Sequence, residues 1–295
     1  MLSLEHLAEL LESHRAVANA PIREFSLGGR PFPFATRPAI MGVVNLSADS
    51  WYRESVCLTA DAAIQRGRVL AAQGAAIIDV GAESTLAHAA RAEDAAQTSQ
   101  LLPVIRALRA EHILVSVETY SPAVTQASLA AGANVLNLTG TEASAEIYQM
   151  VAAHDAAVII CHVAGRNVRE VADYDLSADP VPMLRDYFAR QIELAQRNGV
   201  ERIFLDPGLG FYYRNLQDSA VRVRHQMNVF LNTFRLRELG FPICHALPHA
   251  FEYFGEEVRC AEPFFAVLAA LGKTSLFRTH EVPRIKAVLD TMQIF

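Results

Sequence analysis

Eight short apolar runs alternate along this chain with eight longer segments of helical periodicity, and that alternation limits the available folds more than any single motif does. The runs fall at 39–45, 76–80, 113–118, 134–138, 157–162, 202–206, 242–246 and 274–278. Runs of this length, apolar nearly throughout, read as parallel strands buried on both faces. The Ala- and Leu-rich segments between and after them predict helices near 59–74, 91–110, 121–131, 143–153, 181–198, 218–239, 257–272 and 283–292. A strand-then-helix unit repeated eight times is the pattern of a (β/α)8 TIM barrel, whereas a doubly wound open sheet usually shows fewer units. Ahead of the first run, residues 3–17 have apolar positions at helical spacing behind Ser3, and 25–34 surround Gly28-Gly29 as a hairpin would. The expected organisation is an N-terminal helical extension over 1–21 and a barrel over 22–295, with the hairpin placed to plug one end.

Composition narrows the function. With 295 residues, 52% of them apolar and 20% charged, the chain can bury a barrel-sized core. A net charge of −6 and no basic cluster argue against a nucleic-acid surface. The four cysteines, Cys57, Cys161, Cys244 and Cys260, have no paired spacing, which suits reduced thiols and a cytoplasmic setting. Residues 1–20 carry no signal-peptide core, and no apolar run reaches the roughly 18 residues a membrane span requires.

In a TIM barrel the active site lies at the C-terminal strand ends, where the βα loops converge. Applied here, that rule selects Asn45; Asp79 with Glu83; Glu118; Asn137; His162; Asp206; His245 with His249; and Arg278 with His280. The sharpest case is Ile203-Phe204-Leu205-Asp206-Pro207-Gly208-Leu209-Gly210, an apolar strand that delivers a carboxylate and is then broken at once. Asp206 could alternatively cap the turn through an Asx bond to Gly208. Residues 163–180 form the longest irregular connection and read as a mobile βα loop.

Five segments resemble the dihydropteroate synthases, in that family's order: Met41 to Ser50, Ile77 to Thr85, Gly132 to Asn137, Asp206 to Phe211 and Arg278 to Val282. The likeness spans about 22–290. It implies a pterin-binding barrel whose usual reaction joins a pterin-methyl diphosphate to p-aminobenzoate, releases pyrophosphate and uses Mg²⁺, in a homodimer. By the same resemblance Asp206 and Asn137 grip the pterin, with Glu118 at a position where the family has Asp. The extra methylene displaces that carboxylate by roughly 1.5 Å. Asn45, Arg278 and His280 take the metal–diphosphate side, with Asn45 the Mg²⁺ contact, although Arg278 could instead bridge to Asp79 or Glu281.

The loops depart from the family. Its first loop reads Thr-Pro-Asp-Ser-Phe then Ser-Asp-Gly-Gly, against Ser47-Ala48-Asp49-Ser50-Trp51-Tyr52-Arg53-Glu54-Ser55 here. Its Arg-Pro-Gly after Glu-Ser-Thr is replaced by Leu86-Ala87-His88, and its Ser-Arg-Lys after the seventh strand by Ala246-Leu247-Pro248-His249. Losing two phosphate-facing cations, each contributing about 2.7–4 kcal/mol toward developing charge, would slow the standard reaction by orders of magnitude unless Arg53, Arg166 or Arg214 substitutes, with Arg214 best placed. The expectation is a divergent paralogue that keeps the pterin pocket. Other readings are a pterin-dependent methyltransferase and a metal enzyme in which His162, His245, His249 and His280 converge with Glu83 or Asp206. A non-catalytic partner, using Phe251, Tyr253, Phe254, Phe264 and Phe265 as an interface, is a further one.

Overall fold

The computed structural model describes residues 2–47, 49, 52–84, 91–211 and 213–294, without the side chain of Arg53. Two helices, α1 (Leu4–Ser13) and α2 (Arg15–Ala18), precede a hairpin of β1 (Phe25–Leu27) and β2 (Arg30–Phe32). The barrel then runs β3 (Ala39–Asn45), α3 (Ala60–Ala72), β4 (Ile77–Gly81), α4 (Asp94–Ala110), β5 (Leu114–Thr119), α5 (Pro122–Ala130), β6 (Val135–Leu138) and α6 (Ser144–Ala153). Its second half comprises β7 (Ala157–Cys161), α7 (Val181–Arg197), β8 (Ile203–Asp206), α8 (Ser219–Asn232), β9 (Cys244–Ala246), α9 (Phe251–Phe254), α10 (Ala261–Leu271), β10 (Leu276–Thr279) and α11 (Val282–Met292). The eight strands β3 to β10 pair in parallel in the order β8-β7-β6-β5-β4-β3-β10-β9. A parallel bridge from Leu205 to Ile243 joins the two ends of that order and closes the barrel.

Alternation along each strand sorts the side chains. Ile40, Val44, Ile78, Val80, Val115, Val117 and Leu136 point outward and pack under the helices in one large core. Met41, Ile77, Leu114, Val135, Ala157, Phe204 and Leu276 point inward and form a second core with Leu27, Phe32 and Phe34 of the N-terminal segment. Phe25 and Phe34 both meet the Phe204 ring at 5.1 Å between centroids. The hairpin therefore seals the N-terminal end of the barrel, as its sequence predicts, and leaves the opposite end for a site.

The helices begin where capping chemistry allows. Thr59, Ser121 and Asp218 each accept a backbone N–H with the side-chain oxygen at the starts of α3, α5 and α8. The expected helix over 218–239 is divided: α8 ends at Asn232, and Thr233–Leu239 continues as a 3₁₀ segment to Gly240, whose φ of 79° only glycine adopts readily. Among the described residues no helix is long and apolar enough to cross a membrane.

Candidate active site at the C-terminal mouth of the barrel

A cavity of about 130 Å³ opens where the βα loops meet. Glu118, Asn137, Asp206, Asn45, Arg278 and His280 all line it. Strand register explains the grouping, because Glu118 pairs with Gly81 on one side and with Asn137 on the other. Across the barrel Cys161 pairs with Asp206, and Ala246 with Arg278. These inward-facing residues form the uppermost layer of the barrel interior.

The floor is a buried network of carboxylates around one guanidinium. Arg278 donates from Nε to Asp79 at 2.7 Å and from its terminal nitrogen to Glu118 at 2.6 Å. The Asn137 amide donates to the same Asp79 oxygen at 3.1 Å, and the Cys161 thiol donates to Asn137 at 3.3 Å. Asp206 accepts the Gly208 N–H at 2.8 Å, so the Asx turn and the cavity-facing carboxylate are one and the same residue. Burial pushes the Glu118 carboxyl up to about 7, with Arg278 opposing the shift. Burial likewise pushes Asp206 up to about 6, against the Gly208 N–H and Arg278. Desolvation outweighs the single nearby cation at both positions.

Gly208 makes this geometry possible. Its φ is +77°, and a Cβ there would fall 2.1 Å from the His162 carbonyl oxygen. The Asp-Pro-Gly break thus brings two loop backbones into contact beneath Asp206.

The wall toward β9 and β10 is built differently. His280 Nδ1 lies 2.9 Å from Glu262 Oε1, and His249 Nε2 lies 2.8 Å from the same oxygen. Glu262 is fully buried at the start of α10. Tyr52 packs over both imidazoles, with ring centroids 4.4 Å from His280 and 4.9 Å from His249. The Tyr52 hydroxyl donates to Glu281, which is also held by Arg259. Asn45 donates from its amide to Ser55 Oγ at 2.6 Å.

Several expectations need correction. His245 does not reach the cavity, because Cys244 and Ala246 take the inward positions of β9 and His245 faces out to Thr233 Oγ1 at 2.8 Å. His162 packs among Tyr174 and Tyr187 behind the barrel wall. The four-histidine cluster therefore does not form; His249 and His280 meet on Glu262 rather than on Glu83 or Asp206. Glu83 instead accepts the Tyr120 hydroxyl at 2.6 Å and lies 3.5 Å from the buried Arg169. Arg214 is exposed, 3.9 Å from Asp173, and is not in the cavity wall; Arg166 pairs on the surface with Glu142. Phe265 is fully buried, while Phe251, Tyr253 and Phe264 are exposed. The first-loop residues Ala48, Ser50 and Trp51, the segment 85–90 with Leu86, Ala87 and His88, and the Arg53 side chain lie outside the described residues.

Sequence reasoning missed two residues. Glu262 is one. The other is Arg222 of α8, which lines the cavity and donates to Glu252 at 2.5 Å and to the Leu216 carbonyl at 3.1 Å. Both arrive on helices, so a rule about strand ends cannot select them. The only local signal is a charge within an apolar helical stripe, Glu262 in Ala261-Glu262-Pro263-Phe264-Phe265.

A closed parallel barrel with converging carboxylate, amide and guanidinium groups at its C-terminal mouth is a TIM barrel with a polar pocket where such barrels carry their sites. Residues 41–244 match the model of the pterin binding enzyme family, and this chain belongs to that family. It is 30% identical over 223 residues to a dihydropteroate synthase of Synechocystis, covering 74% of this chain and 73% of that protein. A Streptococcus pyogenes dihydropteroate synthase is 29% identical, with 86% and 95% covered. Among solved structures, the Xanthomonas albilineans dihydropteroate synthase with 4-aminobenzoic acid superposes with a TM-score of 0.76 at 28% identity, covering 92% of this chain and 97% of that one. The same enzyme in complex with 7,8-dihydropteroate gives 0.72 at 27%, covering 92% and 98%.

Proposed function

We propose that this chain binds a reduced pterin of folate metabolism, and that the diphosphate end of its site has been rebuilt so that the standard synthase condensation is lost or altered. The observation that carries this reading is the convergence of Glu118, Asn137 and Asp206 on one cavity. A pterin presents its 2-amino group and adjacent ring N–H as a flat donor pair, which one carboxylate accepts through two oxygens, while an amide completes the edge. Buried carboxylates pushed up to about 6 and about 7 are short of compensating charge near neutral pH. A donor pair from the ligand supplies what desolvation removed.

The anion end supports the second half of the proposal. Among the described residues the two guanidiniums in the cavity wall are already engaged, Arg222 by Glu252 and Arg278 by Asp79 and Glu118. Glu83 and Glu252 also face the cavity, so a diphosphate must displace or approach carboxylates. Mg²⁺ favours near-octahedral oxygen coordination. The Asn45 amide, with its nitrogen on Ser55, offers a single carbonyl oxygen, which does not make a resident site. The ion would enter with ligand phosphates. A homodimer is part of the same proposal, supported by the exposed face of Phe264, Val267 and Leu271 on α10.

Calorimetric titration with a 7,8-dihydropterin, and separately with pyrophosphate plus Mg²⁺, tests both halves. The wild-type chain is expected to bind the pterin and Asp206→Ala to lose it by about 100-fold, since charge-assisted hydrogen bonds contribute about 1.5–3 kcal/mol each. Wild-type protein that fails to bind the pterin would refute the pocket. Rescue of a synthase-deficient strain by this chain would refute the altered chemistry.

A further inference from the structure

We infer that His249, Glu262 and His280 form a binding site for a divalent transition-metal ion, Zn²⁺ or Fe²⁺, in the wall of the cavity. The three residues come from separate places in the chain: the connection after β9, the first turn of α10 and the residue after β10. Their ligand atoms nevertheless all lie within 4.8 Å of one another. Two imidazole nitrogens and one carboxylate oxygen are the donor set of three-ligand zinc sites and of the facial triad that holds Fe²⁺.

The carboxylate is oriented as a ligand would be. Glu262 Oε2 accepts the Thr279 hydroxyl and the Glu281 N–H, the latter at 3.3 Å. The His280 N–H reaches both carboxylate oxygens at 3.2 Å. This arrangement turns Oε1 toward the two imidazoles. Thr279 and the backbone thus act as the outer partners that fix a metal-bound carboxylate.

Charge gives the second argument. Among the described residues Glu262 pairs with no lysine or arginine; Arg259 and Arg284 go to Glu281 instead. A fully buried carboxylate whose charged-type partners among the described residues are two imidazoles gains a full cation when a divalent ion binds. With two neutral imidazoles and one carboxylate the loaded site carries a net charge of +1. It lies on the cavity side where the family's cations are missing, because His249 and His280 both line the cavity. Bonds of about 2.0–2.1 Å in a tetrahedral site separate ligand atoms by about 3.3 Å. The present separations of 2.8 and 2.9 Å would open by about 0.5 Å.

The test needs no pterin, so its failure and that of the proposed function are separable. Chelator-stripped full-length protein is titrated with Zn²⁺ by calorimetry, anaerobically with Fe²⁺, and with Co²⁺ followed by visible absorption. One equivalent is expected to bind saturably, with a Co²⁺ spectrum of low coordination number. His249→Ala should abolish the spectrum. Thr279→Val, which keeps the side-chain shape and every ligand, should weaken affinity by about 10–100-fold and carries the test if His249→Ala does not fold. No stoichiometric binding, or binding that survives both substitutions, would overturn the inference and leave Glu262 as a buried carboxylate between two imidazoles.

Discussion

Asp206→Asn should make the protein more stable above neutral pH while removing the carboxylate proposed to hold the pterin. Burial pushes the Asp206 carboxyl from 3.8 up to about 6, so the folded state holds the proton more tightly than the unfolded chain does. A carboxyl raised in this way contributes stability that is complete below the unfolded value and lost as pH rises through the folded one. At about 1.4 kcal/mol per pKa unit the loss amounts to about 3 kcal/mol by pH 8. Asparagine keeps an oxygen for the Gly208 N–H and cannot ionise. Denaturant unfolding of both proteins should therefore give nearly equal stabilities at pH 4 and a gap of about 2–3 kcal/mol favouring the variant at pH 8. A variant less stable than wild type at pH 8, or a gap that does not change with pH, would refute the claim that this carboxylate is held at a cost to the fold.

Two further outcomes follow from the same geometry. Arg278→Met leaves Asp79 and Glu118 buried without their cation and should destabilise by about 3–5 kcal/mol at pH 8. Unfolding at pH 5, where Glu118 takes up a proton, should show a smaller loss; equal losses would mean that Arg278 acts by packing alone. Gly208→Ala should cost more than about 2 kcal/mol because its Cβ meets a backbone oxygen and its φ is positive. Gly210→Ala, whose Cβ would approach only Ala246, at 3.2 Å, among the described residues, should cost markedly less, and comparable melting temperatures for the two would be the contrary result.

The barrel was legible because strand, helix and loop signals agree along the chain. The expected 39–45 strand is Ala39–Asn45, and the expected 113–118 strand is Leu114–Thr119. Asp79, Asn137 and Asp206 are selected by their place at strand ends, and alternation along their strands does turn them inward. His245 shows where that reading stops. A histidine near a strand end was assigned to the mouth, but its parity within β9 turns it away. Arg222 and Glu262 show the complementary gap. Arg222 reaches the cavity, and Glu262 the two histidines in its wall, from helices, where sequence specifies a face but not the angle at which the helix meets the barrel. The separation of His249 from Glu262 depends on that angle.

The hairpin beneath the barrel has a consequence for synthesis. Phe25 and Phe34 belong to the first part of the chain, yet Phe204, whose ring both meet edge-on, belongs to β8. While the chain is being made, these rings emerge long before that partner exists. Contacts so distant in sequence form late and slowly, and the uncovered aromatic segment is a point at which half-made copies adhere to one another. Chaperone dependence of this protein should accordingly be governed by its first forty residues, and a truncation ahead of β3 should change the yield of folded barrel more than the chemistry at its mouth.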